Sequence, residues 1–238
     1  MKKKQHFTWG VNEKIIDKAV ELISNEKPGK LLDVGAGSGL LCQKALNLGF
    51  KAYACDLNAK KLKVRNIPFK KADILKKLPY QDKYFDFVTC TEVFEHLENP
   101  WKASAEISRV LKPNGYLILS LPNFSSLVSR FVYFTRGNFV QFDEWFFNNW
   151  GHINPLTFVE LNKILEYYGF KIEKIDTQER LPQPYSYFLR LLQKTCSILF
   201  HYFKLLLLNV DRQDKCLSIL ETNTLLYGEN IIIKCRKI

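Results

Sequence analysis

Leu31-Leu32-Asp33-Val34-Gly35-Ala36-Gly37-Ser38-Gly39-Leu40-Leu41 is an apolar run that breaks into three alternating glycines and then resumes. A buried strand turning sharply into a helix has this pattern. Glycine tolerates positive φ and lets backbone approach a ligand closely, so the turn is a candidate binding loop. A dinucleotide fingerprint, G-x-G-x-x-G, needs glycine at position 40, where Leu40 stands. The turn therefore argues against a nicotinamide cofactor.

The flanks repeat a strand–helix rhythm. Upstream, Ile15, Ile16, Ala19, Val20, Leu22 and Ile23 recur on one face of a helix over residues 14–25. Downstream, residues 40–48 are helical until Gly49, residues 51–55 form a strand ending at Asp56, and residues 69–72 a short strand ending at Asp73. Strands follow at 85–91 and 115–121, with a helix from about 101 to 111 between them. This alternation predicts an α/β fold with a parallel sheet covered on both faces. Beyond residue 122 the rhythm changes. Ten aromatics crowd into residues 123–150, a helix spans about 157–168 before Gly169, and strands fall at 170–177 and about 229–237. We read one domain over residues 1–238, with helical insertions at about 123–152, after the fifth strand, and 178–228, between the last two strands.

Composition excludes several classes. The chain has 238 residues, 47% hydrophobic and 25% charged, which is a globular mix and not a disordered one. The start, Met1-Lys2-Lys3-Lys4-Gln5-His6, lacks the apolar stretch of a secretory leader. Six scattered cysteines without a C-x-x-C pair read as reduced thiols, so a cytoplasmic location is expected. The net charge of +11 is lopsided: residues 1–83 hold 18 Lys and Arg against 8 Asp and Glu, and the remainder 17 against 16. Such a surplus suits a solvated face, anionic lipid or nucleic acid.

Asp56 ends the second strand 17 residues beyond Gly39, where a carboxylate can accept two ribose hydroxyls, and Asp73 ends the third, where an acid can accept from an adenine amine. With the segments LLDVGAGSGLL, ACDLN, KADI, FDFVTCTEVFEHLENP and RVLKPNGYLILSLPN in this order, the chain resembles the class I S-adenosylmethionine (SAM)-dependent methyltransferases. The nearest groups are the ubiquinone-pathway O-methyltransferases and small-molecule methyltransferases. The resemblance covers roughly residues 8–122, then GHINPLTFVELNKILEYYGF and the last strand. It implies a doubly wound seven-stranded sheet of order 3-2-1-4-5-7-6 with strand 7 antiparallel, and SAM at the carboxyl ends of strands 1 to 4. The implied SAM-binding positions are Asp33 near the methionine amino end, Gly35, Ala36, Gly37, Gly39, Asp56 on the ribose, Leu57, Asp73 on the adenine, Ile74 and Thr91.

Glu92, Glu95 and His96 share one face if residues 91–96 are helical, and His152 lies far along the chain. Two carboxylates and two imidazoles form a candidate set for magnesium, manganese or zinc. The segment VTCTEVFEHLENP is similar to metal-using ubiquinone-pathway O-methyltransferases and to small-RNA ribose 2′-O-methyltransferases. Without a metal, His96 and His152 are candidate catalytic groups, or the set shapes the cofactor pocket or caps a helix.

In this family the segment after strand 5 commonly covers the acceptor, so residues 123–152 are expected to be a lid more than core. A long apolar helix is expected over residues 187–209. On a helical wheel Arg190, Lys194, His201 and Lys204 fall within an arc of roughly 80°, which suits a peripheral helix on an anionic membrane surface, a dimer contact or packing on the domain. The expected function is O-methylation of an apolar, aromatic or lipid-linked acceptor. Ribose methylation of RNA and a non-catalytic SAM-fold module are the alternatives.

Overall fold

The computed structural model describes residues 13–179 and 222–238. Helix α1 (Glu13–Glu21) leads into β1 (Lys30–Val34), α2 (Leu40–Asn47), β2 (Lys51–Asp56), β3 (Phe69–Lys71) and β4 (Phe85–Thr91). Next come α3 (Pro100–Val110), β5 (Leu111–Pro122), α4 (Leu127–Arg136), α5 (Glu144–Trp150), α6 (Phe158–Tyr167) and β6 (Phe170–Glu179). The short helix α7 (Asn223–Tyr227) and β7 (Gly228–Lys237) close the described chain.

The strands form one sheet in the order β3-β2-β1-β4-β5-β7-β6. Pairing is parallel from β3 across to β5, and β7 runs antiparallel to both its neighbours. This is the sheet that the resemblance implies. The direction of winding reverses between β1 and β4, which opens a crevice at the carboxyl ends of those strands.

Alternation along the strands explains why both faces are closed. Leu32, Val88, Leu117 and Ile233 pack under α3 and α6 with Ile107, Leu161 and Ile164. Their neighbours Leu31, Phe87, Ile118 and Ile232 pack under α1 and α2 with Ile15, Ile16 and Ala19. Successive side chains point to opposite faces, so runs such as Ile231-Ile232-Ile233 must be apolar throughout. The Asn99 side chain caps α3 by accepting from Lys102 N, with Pro100 in the first turn, and Thr157 caps α6 by accepting from Glu160 N. The helix expected to run to residue 25 ends at Glu21 in turns that fold Leu22 and Ile23 into the core.

One local expectation fails. Residues 91–96 are not a helix. Strand β4 ends at Thr91, Glu92 takes a left-handed φ of 54°, and only Phe94–His96 form a single 3-10 turn. The helix expected over 187–209 lies outside the described residues, as do Cys196 and Cys216. Cys42, Cys55, Cys90 and Cys235 are free and buried. Among the described residues, no helix is long and apolar enough to cross a membrane.

Candidate functional site

The glycine loop lies at the winding switch. Gly35, Gly37 and Gly39 all adopt positive φ, at 71°, 52° and 83°, and Gly39 stands at the N-terminus of α2. Their reasons differ. A Cβ on Gly35 would lie 2.5 Å from Val93 Cγ2, and one on Gly39 2.7 Å from Leu62 Cδ1. A Cβ on Gly37 would meet nothing nearer than Gly35 O at 3.9 Å, so the space above it is left open by the protein. Ala36 is buried.

The acids divide into one inside and two at the rim. Asp33 is buried; Thr89 Oγ1 donates to its Oδ1 at 2.7 Å and the Cys42 thiol to Oδ2 at 3.7 Å. Burial pushes its pKa up to about 7 against those two bonds. Asp56 ends β2 half-buried. Its Oδ2 accepts from Gly37 N at 2.9 Å and its Oδ1 from Asn58 N at 2.8 Å, which leaves each oxygen a lone pair for a hydroxyl. Asp73 Oδ1 accepts from Leu75 N at 2.9 Å. Leu57 is 64% exposed beside Asp56, and Ile74 is buried beside Asp73. Thr91 is half-buried at the end of β4. An open cradle over Gly37, a rim carboxylate and an exposed leucine fit a nucleoside with a charged tail, as SAM is.

Around β4 the structure brings three of the four proposed ligands together. Glu95, His96 and His152 each offer a ligand atom within 4.8 Å of the others. Glu92 does not join them. Its left-handed backbone turns the carboxylate toward β5 and β7, where Ser120 Oγ donates to Oε1 at 2.8 Å and Asn230 Nδ2 to Oε2 at 2.7 Å. Burial pushes the Glu92 pKa up to about 7. Glu95 is fully buried and neither of its oxygens has a hydrogen-bond partner. His96 Nε2 lies 3.8 Å from Glu95 Oε1, too far for a hydrogen bond. Burial holds the His96 pKa below the usual value and, with His96 beside it, lowers that of His152 to about 4. The His152 ring is therefore neutral at pH 7. Burial also pushes the Glu95 pKa well up, so its ionised form needs a positive neighbour; that carboxylate and one lone-pair nitrogen from each imidazole suit a cation.

The aromatic insertion folds as two helices, and rings in and just before α5 pack on this cluster. The His152 ring lies 5.3 Å from Phe142, 5.5 Å from Phe146 and 5.0 Å from His96. Phe124 is buried, whereas Phe131, Tyr133, Phe134, Trp145 and Phe147 are exposed. Most of these rings are not core.

Sequence reasoning does not find Ser120 and Asn230, which hold Glu92, or Gln141, whose carbonyl oxygen lies 2.9 Å from His152 Nδ1 and whose side chain donates to Glu229. A signal exists for Asn230, an amide directly before the apolar run Ile231-Ile232-Ile233. Gln141 carries none.

A family model described as a methyltransferase domain matches residues 7–175. The ubiquinone biosynthesis O-methyltransferase of Thiobacillus denitrificans is 32% identical over 105 residues, 40% of this chain and 44% of that protein. Its counterpart in Dechloromonas aromatica is 31% identical over 117 residues, 45% and 49% of the two chains. This chain thus spans under half the length of those curated relatives. A SAM-dependent methyltransferase from Archaeoglobus fulgidus has the same fold, with a TM-score of 0.63 at 20% identity over 96% of this chain and 95% of that one.

Proposed function

We propose that this chain, which belongs to the methyltransferase-domain family, uses SAM to methylate a hydroxyl oxygen of an apolar aromatic or lipid-linked acceptor. The observation that carries the reading is the unpartnered Glu95 carboxylate facing His96 and His152 beneath an aromatic lid.

SAM supplies an electrophilic methyl group. The chain's part is alignment and exclusion of water, which together remove much of the barrier to an in-line displacement. Gly35 to Gly39 would bring backbone N–H groups against the methionine end, and Asp56 would accept the ribose hydroxyls. Leu57, Asp73 and Ile74 would border the adenine. Residues 123–152 would close over the acceptor, their aromatics giving an apolar wall.

A divalent metal at Glu95, His96 and His152 would supply Lewis acidity to lower the pKa of an acceptor hydroxyl. Magnesium, manganese and zinc are the candidates. Glu92, turned away, would instead brace the end of β4.

The test uses the full chain with tritium-labelled SAM, an alkyl-substituted catechol and, in parallel, a short single-stranded RNA. Transfer to the catechol is expected, with loss of at least tenfold in chelator and recovery on adding one of the three metals, while calorimetric SAM binding persists. Undiminished transfer in chelator would remove the metal and leave His152 as the candidate base. Transfer to RNA alone would replace the acceptor class with ribose. SAM binding with no transfer to any hydroxyl probe would favour a non-catalytic module.

A further inference from the structure

Both imidazoles of the cluster are set by backbone oxygens of the lid. A carbonyl oxygen only accepts. The contact of His152 Nδ1 with Gln141 O at 2.9 Å, and of His96 Nδ1 with Gly151 O at 3.1 Å, therefore puts the proton on Nδ1 in each ring. Nε2 is left as the ring atom with a lone pair to offer. Gly151 sits at the end of α5 with a φ of 72°, a conformation glycine adopts freely. Gln141 has a φ of 68° without that freedom. Such a backbone persists only where its surroundings over-determine it.

Those surroundings are on β7. Gln141 Nε2 donates to Glu229 Oε1 at 3.0 Å. The insertion is tied to the same place at its other end: Asn123 N donates to Glu229 O at 2.8 Å, and Asn123 Nδ2 donates to Gly228 O at 2.9 Å. Strand β7 is an interior strand paired with β5 and β6, and Glu229 stands at its first turn into the sheet, between Gly228, paired with β6, and Asn230, paired with β5. The lid thus meets the sheet at Gly228 and Glu229, and the second tether ends on the residue whose carbonyl orients His152.

We infer that the Gln141–Glu229 hydrogen bond is a clasp that positions His152 as a ligand, so that Gln141 and Glu229 are positioning residues for the cluster. The inference rests on reading Glu95, His96 and His152 as a metal site. It goes further by saying what in the chain holds that site in its binding tautomer. With the clasp closed, Gln141 O fixes the His152 ring. With it open, Gln141 is free to leave the left-handed region, and Nδ1 and Nε2 then compete for the proton.

Three variants test it in the full chain: Glu229→Ala, Glu229→Gln and Gln141→Ala. In Glu229→Gln the amide oxygen can still accept from Gln141. In Gln141→Ala the clasp is lost from its other side while the strain of the left-handed backbone stays, so poor folding of Glu229→Ala does not close the question. The readouts are zinc affinity by competition with a chromophoric chelator, and the 15N shifts of the His152 ring in metal-free protein. SAM affinity by calorimetry serves as the control. Glu229→Ala and Gln141→Ala are expected to bind zinc about 10–100-fold more weakly and to show mixed His152 tautomers, with SAM affinity unchanged. Glu229→Gln is expected to keep wild-type zinc affinity and a single Nδ1–H form. Wild-type zinc affinity together with an unmixed tautomer in Gln141→Ala would overturn the clasp. If the wild type itself binds no zinc, manganese or magnesium, the metal reading falls. The clasp is then decided by the 15N shifts alone, and an unmixed tautomer in both disrupting variants refutes it.

Discussion

Asp33 shows how a single side chain can be legible in type and hidden in its surroundings. The motif marks it as an acid at the end of β1, and its resemblance role is near the methionine end of SAM. In the fold it is buried and bonded to Thr89 and Cys42, the first of them 56 residues away in sequence. That environment has a consequence for pH. Burial raises its pKa from 3.8 to about 7, so the folded state binds the proton more tightly than the unfolded one. The stability from Asp33 is then full below pH 3.8, falls as pH rises through the window up to about 7, and is flat above it. A shift of this size corresponds to about 4 kcal/mol. Asp33→Asn keeps an oxygen for Thr89 and carries no charge. Urea unfolding of the two proteins should give a difference that grows in favour of the uncharged variant between about pH 4 and 7. Since the other raised carboxylates are common to both proteins, a difference that stays constant with pH would refute this account. Glu92 departs from its expected place for a related reason. Its direction is set by Ser120 and Asn230, and no local pattern announces a left-handed residue at a strand end.

Short-range chemistry makes most of the secondary structure readable. The runs of β1, β4 and β5 are buried on both faces, and helices α3, α4, α5 and α6 begin at Asn99, Ser126, Asp143 and Thr157, each accepting from a backbone N–H in its first turn. The segment after β4 misleads because Glu-x-x-Glu-His fits a helical face as well as it fits a turn. The glycine loop offers a sharper test, because its three glycines are needed for different things. All three have positive φ, so alanine costs about 1–2 kcal/mol of backbone strain at each. Gly35→Ala and Gly39→Ala add contacts of 2.5 and 2.7 Å with Val93 and Leu62, and both should lower the melting temperature further. Gly37→Ala adds no such contact, so its thermal loss should be the smallest of the three. Its methyl group would instead enter the open cradle. Calorimetry should show SAM bound at least tenfold more weakly by Gly37→Ala, about 1.4 kcal/mol. Unchanged SAM affinity in a folded Gly37→Ala protein would mean that the cofactor does not sit over this loop.

At the level of the entire chain, the order of the sheet follows from the resemblance and from chain sense, but charge needs a partner to interpret it. The surplus of cations lies in residues 1–83, and Lys60, Lys61, Lys63, Arg65, Lys70, Lys71, Lys76 and Lys77 are brought around the β3 edge of the sheet. The apolar stretch at residues 187–209 carries Arg190, Lys194 and Lys204, so two cationic regions compete as the seat of any anionic surface. They predict different salt behaviour. If the acceptor is lipid-linked, the chain must visit a membrane, and an apolar segment with a basic stripe binds there through buried area aided by charge. Each cation near an anionic surface adds about 1 kcal/mol. Replacing Arg190, Lys194 and Lys204 by glutamate should therefore reduce flotation with phosphatidylglycerol vesicles by about a hundredfold or more in partition coefficient, while flotation of the wild type should survive moderate salt. RNA held by phosphates behaves otherwise: affinity falls by about 10³-fold or more between roughly 50 and 200 mM salt when six or more phosphates are contacted. Replacing Lys60, Lys61 and Lys63 by glutamate should leave flotation unchanged if the 187–209 segment is the membrane contact. Flotation lost in the Lys60, Lys61, Lys63 variant but kept in the Arg190, Lys194, Lys204 variant would move the membrane contact to the β3 edge. No flotation by the wild type, with tight and steeply salt-dependent binding to single-stranded RNA, would sink the membrane reading and favour ribose as the acceptor.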